Sequence, residues 1–347
     1  MQQQPVADKL HHEDIEIGKP ILMGPKLLTK EEIIAYARAF DPQPMHLDEE
    51  AAKATLVGGL CASGWHTCAL MMRLLCDGLI NRMAGLGSPG VDEVRWRKPV
   101  RPDTQLSVRY TAQEKRTLAS RPDVGVSKVL VELVDSNGEV PCTWLTNQLT
   151  RVRHPALAAA DRAPGKDKPA PVDLWANAPA SAPTKADAFF EDRAIGEISD
   201  LGCHTFTRDE IIAFAREFDP QPFHLDDAAA KGSLFGALCA SGWHTAAFFI
   251  RGVVTTRLAA NAAARAEGRR LPRYGPSPGF RNLAWYKPVY VGDTVSYRAR
   301  LTDKIDLKSR PERGLLASLV QGRNQKGEVV FSVISQILAE RRQPPRP

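Results

Sequence analysis

At 347 residues the chain is long for one hydrophobic core and comfortable for two. Hydrophobic residues make up 43% and charged residues 25%, the balance of an ordinary soluble globular protein. A formal net charge of +6 and a pI near 9.0 suit an anionic ligand. No basic helix or aromatic-basic interleaving supports a nucleic-acid partner, and no run approaches the roughly 18 apolar residues of a membrane span. Cys61, Cys68, Cys76, Cys142, Cys203 and Cys239 form no C-x-x-C pair and no zinc spacing, so reduced, mostly buried thiols are expected. The opening MQQQPVADKLHHEDIEIG lacks an apolar stretch with a cleavage site, and a cytoplasmic location is the expectation.

In chain order, EDIEIG at 13–18 precedes Thr29-Lys30-Glu31-Glu32, a capping box that predicts a helix start. The helix places Ile33, Tyr36, Ala37 and Phe40 on one face and stops at Asp41-Pro42, because a residue before proline is pushed out of the α region. A Pro-bounded loop, FDPQPMH (40–46), leads to GGLCASGWHT (58–67). There a second helix begins near Ser63-Gly64 and continues apolar on nearly every side through CALMMRLL, the mark of a buried helix. Strand signals follow. Leu106, Val108 and Tyr110 alternate, and SKVLVELVD joins CTWLTNQLT across the hairpin signal Ser136-Asn137-Gly138.

The whole pattern then recurs. FDPQPFH (218–224) differs from the first loop only at Phe223, and GALCASGWHT (236–245) differs from its twin only at Ala237. EDRAIG (191–196), the capping box Thr207-Arg208-Asp209-Glu210 and the apolar AAFFIRGVV keep the same spacing. An Ala/Arg-rich insertion around AANAAARAEGRR then delays NLAWYKPV, and TVSYRARL, LLASLVQGR and VVFSVISQIL supply the strands. Residues 154–186, rich in Ala, Pro and charge, read as a linker that wraps or floats. The predicted architecture is α+β: two hotdog units, 10–153 and 187–343, each an antiparallel sheet curled around a central helix, fused as a single-chain pseudo-dimer.

Asp41 with His46, and Asp219 with His224, are the candidate catalytic residues. A carboxylate and an imidazole five residues apart on a stiffened loop can converge on one water and do general acid–base work. Gly64 and Gly242, at the starts of the buried helices, offer unpaired backbone N–H groups at the positive end of the helix dipole, suited to a thioester oxyanion. Ser63, Trp65, Ser241 and Trp243 are candidate pocket residues, and Arg121 and Arg310 in the repeated Ser-Arg-Pro segments are candidates for phosphate contact. His66 and His244 read as packing residues. No phosphate loop, nucleophile elbow or metal constellation is present.

These segments resemble those of the MaoC-like acyl dehydratases, relatives of the R-specific enoyl-CoA hydratases, once per copy and over nearly all the chain outside the linker. The family's helix-ending loop reads roughly G-D-x-N-P-x-H, so the resemblance implies that Asp41/His46 and Asp219/His224 are catalytic pairs and that Gly64 and Gly242 are oxyanion donors. Phe40 and Phe218 stand at the family's glycine and Gln43 and Gln221 at its asparagine, departures that point to an altered substrate choice. The expectation is reversible hydration of a 2-enoyl-CoA or similar thioester to a 3-hydroxyacyl thioester, with no metal and no redox cofactor. A thioesterase and a non-catalytic acyl-thioester-binding protein are the rivals. Because neither copy has lost its Asp or His, both are expected to be active, and a homo-oligomer of pseudo-dimers is allowed.

Overall fold

The computed structural model describes residues 9–155, 162–163, 172–176 and 186–342. The first half runs through strand β1 (Pro20–Leu28), helix α1 (Lys30–Phe40), the short helical turns α2 (Pro44–Leu47) and α3 (Glu49–Lys53) and the long helix α4 (Gly64–Gly78). Strands β2 (Gly85–Gly87), β3 (Gly90–Trp96), β4 (Thr104–Leu118), β5 (Val124–Asp135) and β6 (Cys142–Arg151) follow. After the two-residue strand β7 (Arg162–Ala163) the order repeats: β8 (Ile198–Thr205), α5 (Arg208–Phe218), a 3-10 turn (Pro222–His224), α6 (Asp227–Lys231) and α7 (Gly242–Ala266). Strands β9 (Gly279–Trp285), β10 (Thr294–Asp306), β11 (Arg313–Asn324) and β12 (Val329–Glu340) close the second half.

The strands form one sheet, ordered β1-β4-β5-β6-β3-β9-β12-β11-β10-β8. Read from either end, this order passes through equivalent strands of the two copies. The seam is the antiparallel pair β3–β9, with Val91 opposite Leu283. Two hotdog units therefore share one sheet, as the sequence predicts. The short strand β7 runs parallel to β4.

Local sequence explains the helices. Thr29 and Thr207 each accept from the backbone N–H of the glutamate three residues on, and each glutamate carboxylate accepts the threonine N–H in return. Helix α1 buries Ile33, Tyr36 and Ala37 and gives way at Asp41, whose φ of −143° and ψ of 66° are non-helical. Helices α4 and α7 lie between the sheet and α1 and α5, and one continuous core cluster runs through both halves. The halves are cross-braced at equivalent places. Arg73 on α4 donates to the carbonyls of Arg216 and Glu217 at 2.8 and 3.2 Å, and Arg251 on α7 donates to those of Arg38 and Ala39. Such contacts satisfy the orphan carbonyls at each helix end.

Three features go beyond the sequence reading. The insertion extends α7 to 25 residues against 15 in α4, as its alanine content favours. The edge strands β1 and β8 were not foreseen. Of the predicted linker, residues 156–161, 164–171 and 177–185 lie outside the described residues. Its described part docks on the sheet: the buried Leu174 donates its N–H to Gln321 Oε1 at 2.9 Å, and the Trp175 ring lies under the guanidinium groups of Arg298 and Arg323. No helix among the described residues is long and apolar enough to cross a membrane.

Candidate active site

Asp41 ends α1, and His46 sits in the helical turn that Pro44 opens, so the Pro-bounded segment folds back on itself. Both side chains are buried, with His46 Nε2 3.7 Å from Asp41 Oδ2. Ser63 Oγ donates to Asp41 Oδ2 at 2.6 Å, and Gln43 Nε2 donates to Oδ1 at 2.8 Å. Ser63 also caps α4 by accepting from Trp65 N, so one hydroxyl ties the carboxylate to the helix start. His46 Nδ1 lies 2.8 Å from the Cys61 carbonyl oxygen. A carbonyl only accepts, so Nδ1 carries the hydrogen and Nε2 is the ring nitrogen that faces Asp41.

The second copy repeats this arrangement closely. His224 Nε2 lies 3.6 Å from Asp219 Oδ2. Ser241 donates to the same oxygen at 2.6 Å, Gln221 donates to Oδ1 at 2.9 Å, and His224 Nδ1 faces the Cys239 carbonyl at 2.8 Å.

Each carboxylate, however, is approached by the central helix of the opposite half, and here the copies differ. Counting twelve and fifteen residues from the helix-start glycines pairs Cys76 with Val254 and Leu79 with Arg257. At the first site Arg257 Nη2 donates to Gln43 Oε1 at 2.6 Å. Burial pushes the Arg257 pKa down, and the Asp41 charge pulls it back up. At the second site Cys76 Sγ donates to Asp219 Oδ1 at 3.4 Å, occupying acceptor capacity that Asp41 keeps free. Leu79, 4% exposed, takes the arginine's place.

A cavity of about 530 Å³ opens on the first site, lined by Asp41, Gln43, His46, Gly64, Trp65 and Arg257. It extends under α7 along the inner face of the second-half sheet, past Ser199, Ala299, Ser318 and Ser335. Strand register explains why room exists there. Ala299 pairs with Ser199 and Val320, and Ser318 with Ser335. In the first half the same lattice positions hold Tyr110 paired with Ile21 and Val131, and Val129 paired with Thr146. The Tyr110 hydroxyl donates to Gln148 at 3.0 Å, and its ring fills the volume that Ala299 leaves empty. Asp219 and His224 line neither this cavity nor a second one of about 460 Å³ walled by Phe223 and Phe235. Those two rings pack 4.9 Å apart beside His224, where the first copy has Met45 and Val57 on the cavity wall.

The remaining predicted residues divide in the same way. A Cβ on Gly64 would fall 2.4 Å from the Trp96 ring, and one on Gly242 would fall 2.3 Å from Trp285, so close helix–sheet approach requires both glycines. Each also occupies the first helical position, whose N–H has no acceptor within the helix. Trp65 lines the cavity and stacks on Phe280, whereas Trp243 stacks on Trp144. Arg310 lines the cavity, but Arg121 is exposed, pairs with Asp123 at 2.7 Å and is not on the cavity wall. His66 and His244 are packing residues: they stack on Tyr36 and Phe214, and burial drives their pKa values down to about 3. Burial also raises the thiols of Cys61 and Cys239, to about 11 and about 12, so neither supplies a thiolate nucleophile. Sequence reasoning missed Arg257 and Cys76. The available signal was a charge at a position of the apolar helix where the other copy has leucine.

A family model described as "MaoC like domain" matches residues 13–133 and again 194–318. Among curated proteins, the uncharacterized protein YdeM of Bacillus subtilis (strain 168) is 28% identical over 119 residues, 34% of this chain and 83% of that protein. A putative MaoC domain protein dehydratase from Chloroflexus aurantiacus J-10-fl superposes with a TM-score of 0.75 at 16% identity, over 98% of this chain and 100% of that one. A conserved hypothetical protein of Mycobacterium tuberculosis, described as having a double hotdog fold, gives 0.64 at 16% identity over 95% and 98%. At such identities the structural likeness speaks for the fold, while the family match spans both halves with a candidate pair in each. The chain belongs to the MaoC-like domain family, in its double-hotdog form.

Proposed function

We propose that the first site hydrates a 2-enoyl thioester, reversibly, to the 3-hydroxyacyl thioester. The observation that carries this reading is the convergence of Asp41, His46 and the Gly64 amide on one wall of a cavity deep enough for an acyl group. A water held between Asp41 Oδ1 and His46 Nε2 loses a proton to the pair as its oxygen bonds to Cβ. The electron pair of the Cα–Cβ double bond moves toward the thioester oxygen, and the Gly64 N–H stabilises that enolate. The pair then returns a proton to Cα, so substrate plus water accounts for every atom of the product. The proton belongs to the coupled pair rather than to one member. Family membership supports this reaction class, and an acyl-CoA is the substrate form that suits the chain's net positive charge.

The two copies carry different roles in this reading, although the sequence alone suggests equal ones. The first half supplies the acid–base pair and the second half supplies the acyl cavity. The Asp219–His224 pair is on the wall of neither cavity described above, and Tyr110 stands on its side of the sheet where the first site has Ala299. Incubating the protein with a panel of 2-enoyl-CoAs tests the proposal. Loss of enoyl absorbance without release of free thiol is the expected result. Thiol release would instead favour a thioesterase, and binding without either change would leave an acyl-thioester-binding protein.

A further inference from the structure

The cavity has an unusual chemistry for a pocket that would take a plain hydrocarbon chain. Arg97, Lys98, Arg193, Arg257 and Arg310 are on its wall, and among the described residues Asp41 is the one carboxylate there. Lys98 is paired with Glu139, and Arg193 with Glu197. Arg257 has no such partner among the described residues: its hydrogen bond runs to the neutral Gln43, and four of its five N–H donors remain for a ligand. The inner face of the sheet opposite α7 adds hydroxyls from Ser199 and Ser318 where the first half has Ile21 and Val129, and Ser335 keeps the hydroxyl that Thr146 has there. Arg257 is partly buried and feels the Asp41 charge without an ion-pair contact to it, so its remaining donors suit a ligand carboxylate that forks onto them. Its place also matters. Through Gln43 it is one residue removed from Asp41, so it addresses the acyl end of a thioester and not the phosphates at the far end of a pantetheine arm.

We propose that Arg257 makes the site selective for an acyl group bearing a second carboxylate, the mono-thioester of an unsaturated dicarboxylic acid. This rests on the thioester reading above and adds the acyl class to it. The carboxylate sits against Arg257 under α7, with the serine hydroxyls as further donors, while the double bond lies over Asp41 and His46. Cys76 and Leu79 leave the second site without any such cation.

Two measurements on the full-length protein separate this inference from the hydration reading. The first is equilibrium binding of a saturated dicarboxylic mono-CoA thioester against the monocarboxylic acyl-CoA of equal length. The second is kcat/KM for the corresponding 2-enoyl pair. The wild type should favour the carboxylated member in both. Arg257→Leu, which installs the residue of the other half, should reduce that preference by roughly 10–10³-fold, the worth of a truncated, partly buried charge contact. Arg257→Lys should recover part of it. Tighter carboxylate binding without turnover would sustain the selectivity and remove the hydratase assignment. Equal binding and equal turnover of the two members would overturn the selectivity and leave hydration standing. If Arg257→Leu weakens both members alike, its role is to position Gln43 and Asp41, and the proposal fails. No discrimination in binding together with no turnover would remove both claims.

Discussion

Ala299→Phe should turn the site into one that accepts short acyl groups only. In the first half the matching position is Tyr110, whose ring occupies the space between helix and sheet. Phenylalanine reproduces that ring without a hydroxyl, which is preferable here because the Gln148 position is Ile337 in the second half and offers no side-chain acceptor. A benzyl group entering the cavity displaces about three or four methylenes of ligand, and each buried methylene is worth about 0.8 kcal/mol. The predicted loss is about 2.5–3 kcal/mol, or roughly 10²-fold in kcat/KM, for any acyl group that reaches past Ala299. A four-carbon acyl group that stays near Asp41 should lose much less. Folding should suffer little, since overpacking costs arise where a core is already full. The assay is kcat/KM against acyl length, with a thermal melt as control. An unchanged length profile in a folded variant would mean that the acyl group lies elsewhere, and the division of roles between the halves would collapse.

His46→Ala should lower turnover by about 10²–10⁴-fold, the usual worth of a positioned acid–base group, while His224→Ala keeps most of it. Equal partial losses from the two variants would contradict the one-cavity account. Stability should also depend on pH through His66 and His244, whose burial pushes their folded pKa values from the ordinary 6.5 down to about 3. The unfolded chain binds protons at these rings first, so their stabilisation is complete above about pH 6.5 and is lost progressively as the pH falls toward 3. At pH 5 each ring should cost about 2 kcal/mol, read as a drop in urea midpoint from pH 7 to pH 5 that His66→Phe partly removes.

What was legible in the sequence is what depends on near neighbours. The capping boxes, the Asp-Pro helix stops, the 137–138 turn and the Asp–His spacing are local. The repeat doubles each signal, so a loop such as FDPQPMH is seen twice. Edge strand β1 was hidden because Pro20, Gly24 and Pro25 break its alternation. An edge strand tolerates such residues, since only one side needs pairing, and the register shifts there between Met23 and Lys26. The Ala/Arg-rich insertion in the second copy shows in the sequence as a delay before NLAWYKPV, and its alanine content lets α7 continue through Ala266. Arg257 and Cys76 were beyond reach for another reason. Their partners Gln43 and Asp219 belong to the opposite half, and only the cross-braced packing of α4 and α7 brings them together. The cavity likewise comes from small residues on four strands meeting in register, which no single segment reveals.

The central claim is that water adds to Cβ of a 2-enoyl thioester at Asp41 and His46, and the fate of the water oxygen tests it most directly. Reaction of a 2-enoyl-CoA in oxygen-18 water, with mass analysis of the product, distinguishes hydration from thioester hydrolysis atom by atom. The account predicts label on the C3 hydroxyl of an intact thioester, formed by the wild type and by Asp219→Asn but not by a folded Asp41→Asn variant. Label in a free carboxylate, or an Asp41→Asn variant as active as the wild type, would contradict it.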